Sequence, residues 1–258
     1  MVLPPTSLLA PGDREWLGSF LRDRLLFRLY FEAAIADLAR GIDNRVAYVG
    51  QARSGAILGI SFDHLAVFTA LGRLENWELA MMLKTDWPVE MHVEPAHEAR
   101  LLPFCAARLL NMSAQRIYSR STAAARPDGA VRQLGPADAD AVSAFMTAHH
   151  PRSIFSDWML SLPFMVLEEH GDIVATAGTI AIQNDLAVIG NFLTHPDHRG
   201  RGAARRLASH LAASLGQAGV RTVLLVTTED NAAACRAYEA AGFEVIERRR
   251  QIDLAAPR

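Results

Sequence analysis

Thr194–Ala208, THPDHRGRGAARRLA, packs two histidines, four arginines and two glycines into fifteen residues. An apolar run, LAVIGNFL (Leu186–Leu193), precedes it. Leu207, Leu211 and Leu215 follow at helical spacing. A strand that turns through such a loop into a helix leaves backbone N–H groups unpaired at the positive end of the helix dipole, which is an anion site. Glycines let a ligand come close to that backbone. What the loop holds decides how the rest of the chain is read.

Three phosphate-binding patterns compete for it. A P-loop needs Gly, four residues, Gly, Lys and then Ser or Thr, and the chain has no such string. A dinucleotide fingerprint needs Gly or Ala at its third small position, where the helix packs against the strand; here that position is Arg205. The acid it also requires is misplaced, because Glu229 and Asp230 come too far along the chain. An arginine–glycine segment for nucleic acid would be repeated and disordered, whereas this one is single and flanked by apolar structure.

What remains is Arg199-x-x-Gly202-x-Ala204. It resembles the acyl-CoA pyrophosphate loop of the GNAT N-acetyltransferase superfamily, Q or R-x-x-G-x-G or A. The surrounding order agrees with the family. A strand, VIGNFLTHP, precedes the loop, a helix follows it, and a buried strand, VLLVTT, comes next. The segment NAAACRAYEAAGF is similar to the family's N-x-x-A-x-x-x-Y-x-x-x-GF at Asn231, Ala234, Tyr238, Gly242 and Phe243. The resemblance covers Val131 to about Ile252 well and the first 120 residues loosely.

The resemblance implies a GNAT fold of class α/β (α+β): a mixed, mostly antiparallel sheet flanked by helices. It also implies an acyl-CoA-dependent N-acetyltransferase with acetyl-CoA as cosubstrate, no metal, and a primary amine of a small molecule or peptide as acceptor. The backbone of Phe192, Leu193 and Thr194 would hold the pantetheine arm. The N–H groups of Arg199, Gly200, Arg201, Gly202, Ala203 and Ala204 would take the pyrophosphate, with charge-assisted help from Arg199 and Arg201. Arg205 and Arg206 read as a solvated face. Asn231 is first a helix N-cap and second a contact for the CoA arm.

Tyr238 matches the family's proton donor to the departing thiolate, against the plainer reading of a core tyrosine. The base is not readable. Asn191 stands on the strand where some relatives carry a glutamate, and Glu168, Glu169, His149, His150 or a water chain are the candidates. His195 and His198 fall at the mouth of the loop. The segment His149–Pro163, with Phe155, Trp158 and Met159, reads equally as an acceptor pocket or as core. The alternative to an enzyme is a noncatalytic acyl-CoA-binding or scaffold module.

Composition bounds these readings. The chain has 258 residues, half of them hydrophobic, and a net charge of −2, without the global basic excess that nonspecific nucleic-acid binding uses. Cys105 and Cys235 are too few for a disulfide framework or a zinc site and read as free thiols. The N-terminal MVLPPTSLLAPGDREW lacks the apolar run of a signal peptide, and no stretch approaches the length of a membrane span. The expectation is a cytoplasmic protein, without nucleic-acid or membrane partners, that is a monomer or a homodimer.

Two domains are expected, 1–125 and 126–258, joined through the small and polar Ser121–Ala130. Gly55–Phe68, GAILGISFDHLAVF, resembles Gly171–Ile189, GDIVATAGTIAIQNDLAVI. This suggests two related halves, of which only the second kept the anion loop. By the same resemblance the first half is a degenerate GNAT-like domain that forms one wall of the acceptor site.

Overall fold

A computed structural model describes residues 5–42, 45–61, 65–125, 128–150 and 155–257. The chain divides into two compact units, Met1–Gln115 with Arg248–Arg258, and Arg116–Glu247.

The first unit opens with α1 (Pro11–Phe20) and α2 (Leu25–Ala39), the two-helix form of the amphipathic pattern over Asp13–Ile42. Gly41 then takes φ +78°, which ends the helical run. Strands β1 (Arg45–Val49), β2 (Gly55–Ser61) and β3 (Ala66–Gly72) form an antiparallel meander. The turn that the FDH of residues 62–64 predicts lies outside the described residues. After α3 (Asn76–Leu79) the chain returns as β4 (Val89–Val93), parallel to β3, and continues into α4 (Pro95–Cys105).

The sequence HEARLLPFCAARLLN reads as one helix through Asn111. Instead β5 runs from Leu109 to Ser121. The Arg108 guanidinium donates to the carbonyls of Leu83, Trp87 and Ala255, and this pins the corner so that the chain turns extended one residue later.

The second unit contains β6 (Val131–Gln133), α5 (Ala139–His149), β7 (Phe164–Glu169), β8 (Asp172–Gln183), β9 (Leu186–Thr194), α6 (Ala203–Gln217), β10 (Thr222–Thr228), α7 (Ala232–Ala240) and β11 (Glu244–Leu254). Strands β7, β8 and β9 form an antiparallel meander. Strand β10 is parallel to β9, and α6 makes the crossover between them. This repeats the order of the first unit: three antiparallel strands, a helix, a parallel strand, a helix and a final strand. The two related halves read from GAILGIS and GDIVATAG are therefore visible as one topology used twice.

The final strand of each repeat is shared between the units. The end of β11, Arg250–Leu254, pairs antiparallel with β4 in the first unit. The end of β5, from Arg116 onward, lies beside β10 in the second. The division of the chain thus passes through β5 and β11, ten residues before the 125/126 boundary read from composition. The small and polar Ser121–Ala125 is no free linker, because the Thr122 hydroxyl and N–H donate to the carbonyls of Val220 and Arg221. Residues 126–127 lie outside the described set.

In the second unit the sheet is a middle layer. On one face Leu207, Ala208, Leu211, Ala212 and Leu215 of α6 pack with Cys235 and Tyr238 of α7. The alanines let the helix approach the strands closely. Gly219, at φ +92°, closes α6, while Gly216 stays inside it. On the other face Val142 and Met146 of α5 pack with Met159, Leu160, Phe164 and Leu193. Among the described residues no helix is long and apolar enough to cross a membrane.

Gly178 of β8 sits against the fully buried Phe164 ring; a Cβ there would lie 2.2 Å from Phe164 Cδ2. Gly178→Ala is therefore expected to destabilise the protein by about 1–3 kcal/mol, the usual cost of overpacking a core. A lowered midpoint in urea unfolding would show it.

Candidate active site

The site begins with an irregularity in β9. Opposite β8, Thr176 aligns with Leu193 and Gly178 with Gly190, so β9 carries one extra residue there. The extra residue is Asn191, at φ +53°, a backbone region that asparagine tolerates better than most side chains. The Thr176 hydroxyl holds the bulge by donating to the Asn191 carbonyl at 3.0 Å. Asn191 Nδ2 donates to the Met159 sulfur at 3.2 Å.

A one-residue bulge inverts side-chain alternation downstream. Ile189 belongs to the α6 face, so regular pleating would send Phe192 to the α5 face and Leu193 to the α6 face. The reverse is observed: Phe192 packs on the α6 and α7 side, and Leu193 lies in the α5 core. The inversion places the Phe192 ring against Tyr238, centroids 5.0 Å apart.

The ladder between β9 and β10 is equally interrupted. It covers Leu186–Val188 against Thr222–Leu224 and stops, although β9 continues to Thr194 and β10 to Thr228. The backbone of Ile189–Thr194 is left without a β10 partner, an edge of the kind to which an extended ligand can add.

Beyond Thr194 the chain makes a short turn at Pro196–His198 and reaches the basic loop. Gly200 and Gly202 have φ +76° and +80°, values costly for any residue with a Cβ. Gly202 is the N-cap of α6, whose first intrahelical bond runs from Arg206 N–H to Gly202 O at 3.1 Å. The N–H groups of Ala203, Ala204 and Arg205 therefore precede the first internal acceptor and face out of the helix end. Arg199 Nε donates to the Thr194 carbonyl at 3.2 Å and ties the loop to the end of β9. Arg201 reaches Glu169 at 3.8 Å, and His198 lies 3.4 Å from the same carboxylate.

Arg206 is not part of a solvated face. It donates to both carboxylate oxygens of Asp128, at 2.7 and 3.2 Å, a contact reaching back across 78 residues. Arg205 is exposed, as expected.

Tyr238 is 4% exposed and enclosed by the rings of Phe192, Tyr118 (6.0 Å) and Phe243 (6.5 Å). Burial pushes its phenol well above the ordinary tyrosine range, so the hydroxyl stays protonated at neutral pH. Asn231 caps α7, its side chain accepting from the Ala234 N–H at 3.2 Å. Phe155 and Met159 are core residues beside Phe164, while Trp158 is 55% exposed. Residues 151–154 of that segment lie outside the described set.

Among the relay candidates, Glu168 is held by Arg132 and Glu169 faces His198 and Arg201. The His149 ring packs on His195 at 4.5 Å, and His195 on His198 at 5.4 Å. Sequence reasoning missed the bulge and the partner of Arg206. The only local sign of the bulge was the Gly190-Asn191 pair inside an otherwise apolar strand.

The corresponding corner of the first unit, between β3 and α3, is filled by the protein itself. There the buried Glu78 carboxylate accepts from the N–H groups of Glu75 and Gln51 and from the Tyr48 hydroxyl. A carboxylate thus meets the N–H groups of this turn, where the second unit has a basic loop and outward-facing N–H groups.

This combination of bulged strand, splayed ladder and glycine-capped helix lies within residues 137–243, which match the family model described as acetyltransferase (GNAT) family. Residues 137–243 form a GNAT acetyltransferase domain. GNAT enzymes use acetyl-CoA as cosubstrate. The chain is similar to the [ribosomal protein bS18]-alanine N-acetyltransferase of Escherichia coli K12, 35% identical over 77 residues that make up 30% of this chain and 51% of that protein. It thus spans about half the length of the curated relatives it matches.

Whole-chain likeness comes from solved structures. A GCN5-related N-acetyltransferase from Sphaerobacter thermophilus aligns over 100% of this chain and 95% of its own, with TM-score 0.63 and 15% identity. A Drosophila protein aligns over 99% of both chains, with TM-score 0.71 and 13% identity. At such identities these likenesses concern the fold, and they extend it to both units.

The Arg206 hydrogen bond, aided by the Ala130 N–H, holds the Asp128 carboxyl down to about 2. A depressed carboxylate contributes stability that is present above its unfolded pKa, near 3.9, and is lost as pH falls through the folded value. Arg206→Ala is expected to raise the Asp128 pKa toward that unfolded value, measurable by NMR titration of the carboxyl carbon.

Proposed function

We propose that the second unit transfers an acetyl group from acetyl-CoA to a primary amine of a small molecule or peptide. The activity is assigned to residues 126–258, with the end of β5 completing the sheet beside β10. The observation that carries this reading is the contact between Phe192, on the strand edge beyond the bulge, and Tyr238: it sets a buried phenol beside the place where an extended cosubstrate would end.

The pyrophosphate would accept hydrogen bonds from the N–H groups of Arg199–Ala204, with Arg199 and Arg201 adding charge. The pantetheine arm would lie along the backbone of Phe192, Leu193 and Thr194 in place of the missing β10 ladder. The amine nitrogen attacks the thioester carbonyl carbon, and the carbon–sulfur bond breaks. The departing thiolate takes the proton of the Tyr238 phenol, which regains one from water. The attacking amine loses its proton to solvent. Asn231 contributes through its cap on α7, the helix that carries Tyr238.

The bS18-alanine N-acetyltransferase likeness supports an amine acceptor and leaves the particular amine open.

Tyr238→Phe is expected to lower kcat by about 10²-fold, the scale of general-acid catalysis, while leaving CoA affinity intact. Thiol release from acetyl-CoA with an amine panel, beside calorimetry with CoA, separates the two effects. Retained turnover would remove Tyr238 from the mechanism, and CoA binding without turnover on any amine would favour a noncatalytic module. Gly202→Ala forces a side chain into the left-handed region at a cost of about 1–2 kcal/mol. CoA affinity is expected to fall roughly tenfold in consequence, read by the same calorimetry.

A further inference from the structure

Tyr118 is buried on β5 and serves no role in the chemistry described above. Its ring meets Tyr238 edge to face at 6.0 Å, a second ring contact beside that of Phe192. Its hydroxyl donates to Glu239 Oε1 at 3.2 Å, and Glu239 is the neighbour of Tyr238 on α7. Arg116, two residues along β5, lies 3.5 Å from Glu239 and 3.4 Å from Glu229. The β5 segment is therefore fastened to α7 at the turn that presents Tyr238.

Because that fastening uses the Tyr118 hydroxyl, only its hydrocarbon ring is left to face Tyr238. Two phenols sit side by side, but one is committed to a carboxylate and the other makes no hydrogen bond with a described residue.

We propose that Tyr118 is a positioning residue for Tyr238: tethered to Glu239, its ring walls the Tyr238 phenol off from water and fixes the direction in which that phenol donates. This rests on the reading of Tyr238 as donor to the thiolate. The titratable and charged groups around the pair are Cys235 and Glu239 on α7, Arg116 on β5, and Glu229 at the end of β10, with Arg120 over the Phe243 ring. The anionic members of this group oppose a tyrosinate, and the ring shields it from water, so both favour the neutral phenol. Edge-to-face ring contacts of this kind also set orientation beyond their buried area.

The test uses the full chain and two variants. Tyr118→Leu removes the wall; Tyr118→Phe keeps the ring and cuts the tether. In Tyr118→Leu, kcat is expected to fall at least tenfold with the KM values for acetyl-CoA and amine within about twofold, the pattern of a contact that matters only in the transition state. A tyrosinate absorbance change below about pH 11 should appear in this variant and vanish in the Tyr118→Leu, Tyr238→Phe double variant, because an unshielded phenol titrates nearer its ordinary value.

Tyr118→Phe should recover most of kcat, stopping about threefold short of the parent, with Tyr238 still silent below that pH. If Tyr118→Leu does not fold, Tyr118→Phe decides alone: an unchanged kcat overturns the proposal. Otherwise an unaltered Tyr238 titration in Tyr118→Leu overturns it. The absorbance measurement needs no turnover, so it stands apart from the outcome for Tyr238→Phe, which tests the donor reading itself.

Discussion

One extra residue in β9 governs the arrangement of the second unit. Side chains on a strand alternate between faces, so a single insertion reassigns every position beyond it. With Asn191 accommodated at positive φ, Phe192 turns toward α7 and Leu193 toward α5. Without it, the strand would present Leu193 to Tyr238 and bury Phe192 against α5. The bulge is held from two sides, by the Thr176 hydroxyl on the Asn191 carbonyl and by the Asn191 amide on the Met159 sulfur. These bonds link the sheet to the segment after α5 at the same point. Bulges of this type also raise local twist, which accords with the early end of the β9–β10 ladder.

The two units show how one topology can be open or closed to an anion. In both, a strand turns into a crossover helix, and the two differ in what meets the first N–H groups of the turn. The second unit leaves those groups at the end of a fifteen-residue helix beneath two left-handed glycines. The first shortens the helix to four residues and supplies Glu78 as an internal acceptor. A buried carboxylate hydrogen-bonded to backbone N–H groups is itself an anion bound at that corner. The first half's lack of a glycine-and-arginine anion loop has this as its structural counterpart.

Much of the second unit was legible because the signals were local. Asn231 as a cap depends on the residue itself and its near neighbours. The loop glycines were legible for the same reason, since positive φ leaves few alternatives to glycine. What escaped was set by distant partners. Arg206 looked solvated because nothing nearby in sequence is acidic, yet Asp128 meets it from 78 residues earlier in the chain. The Leu109–Asn111 stretch looked helical because its apolar residues continue the pattern of α4; the Arg108 hydrogen bonds to three separate carbonyls redirect it. Asn191 gave almost no warning, since asparagine inside a strand is as often a surface residue as a bulge.

The shared final strands carry a consequence for the order in which the protein can be built. The edge of β4 is covered by Arg250–Leu254, made long after Val89–Val93. At ordinary synthesis rates of about 5–20 residues per second, that edge waits on the order of ten seconds for its partner on the ribosome. An uncovered strand edge is where chains pair wrongly with one another. The first unit thus cannot complete itself as it emerges, and its maturation is timed by the arrival of the second.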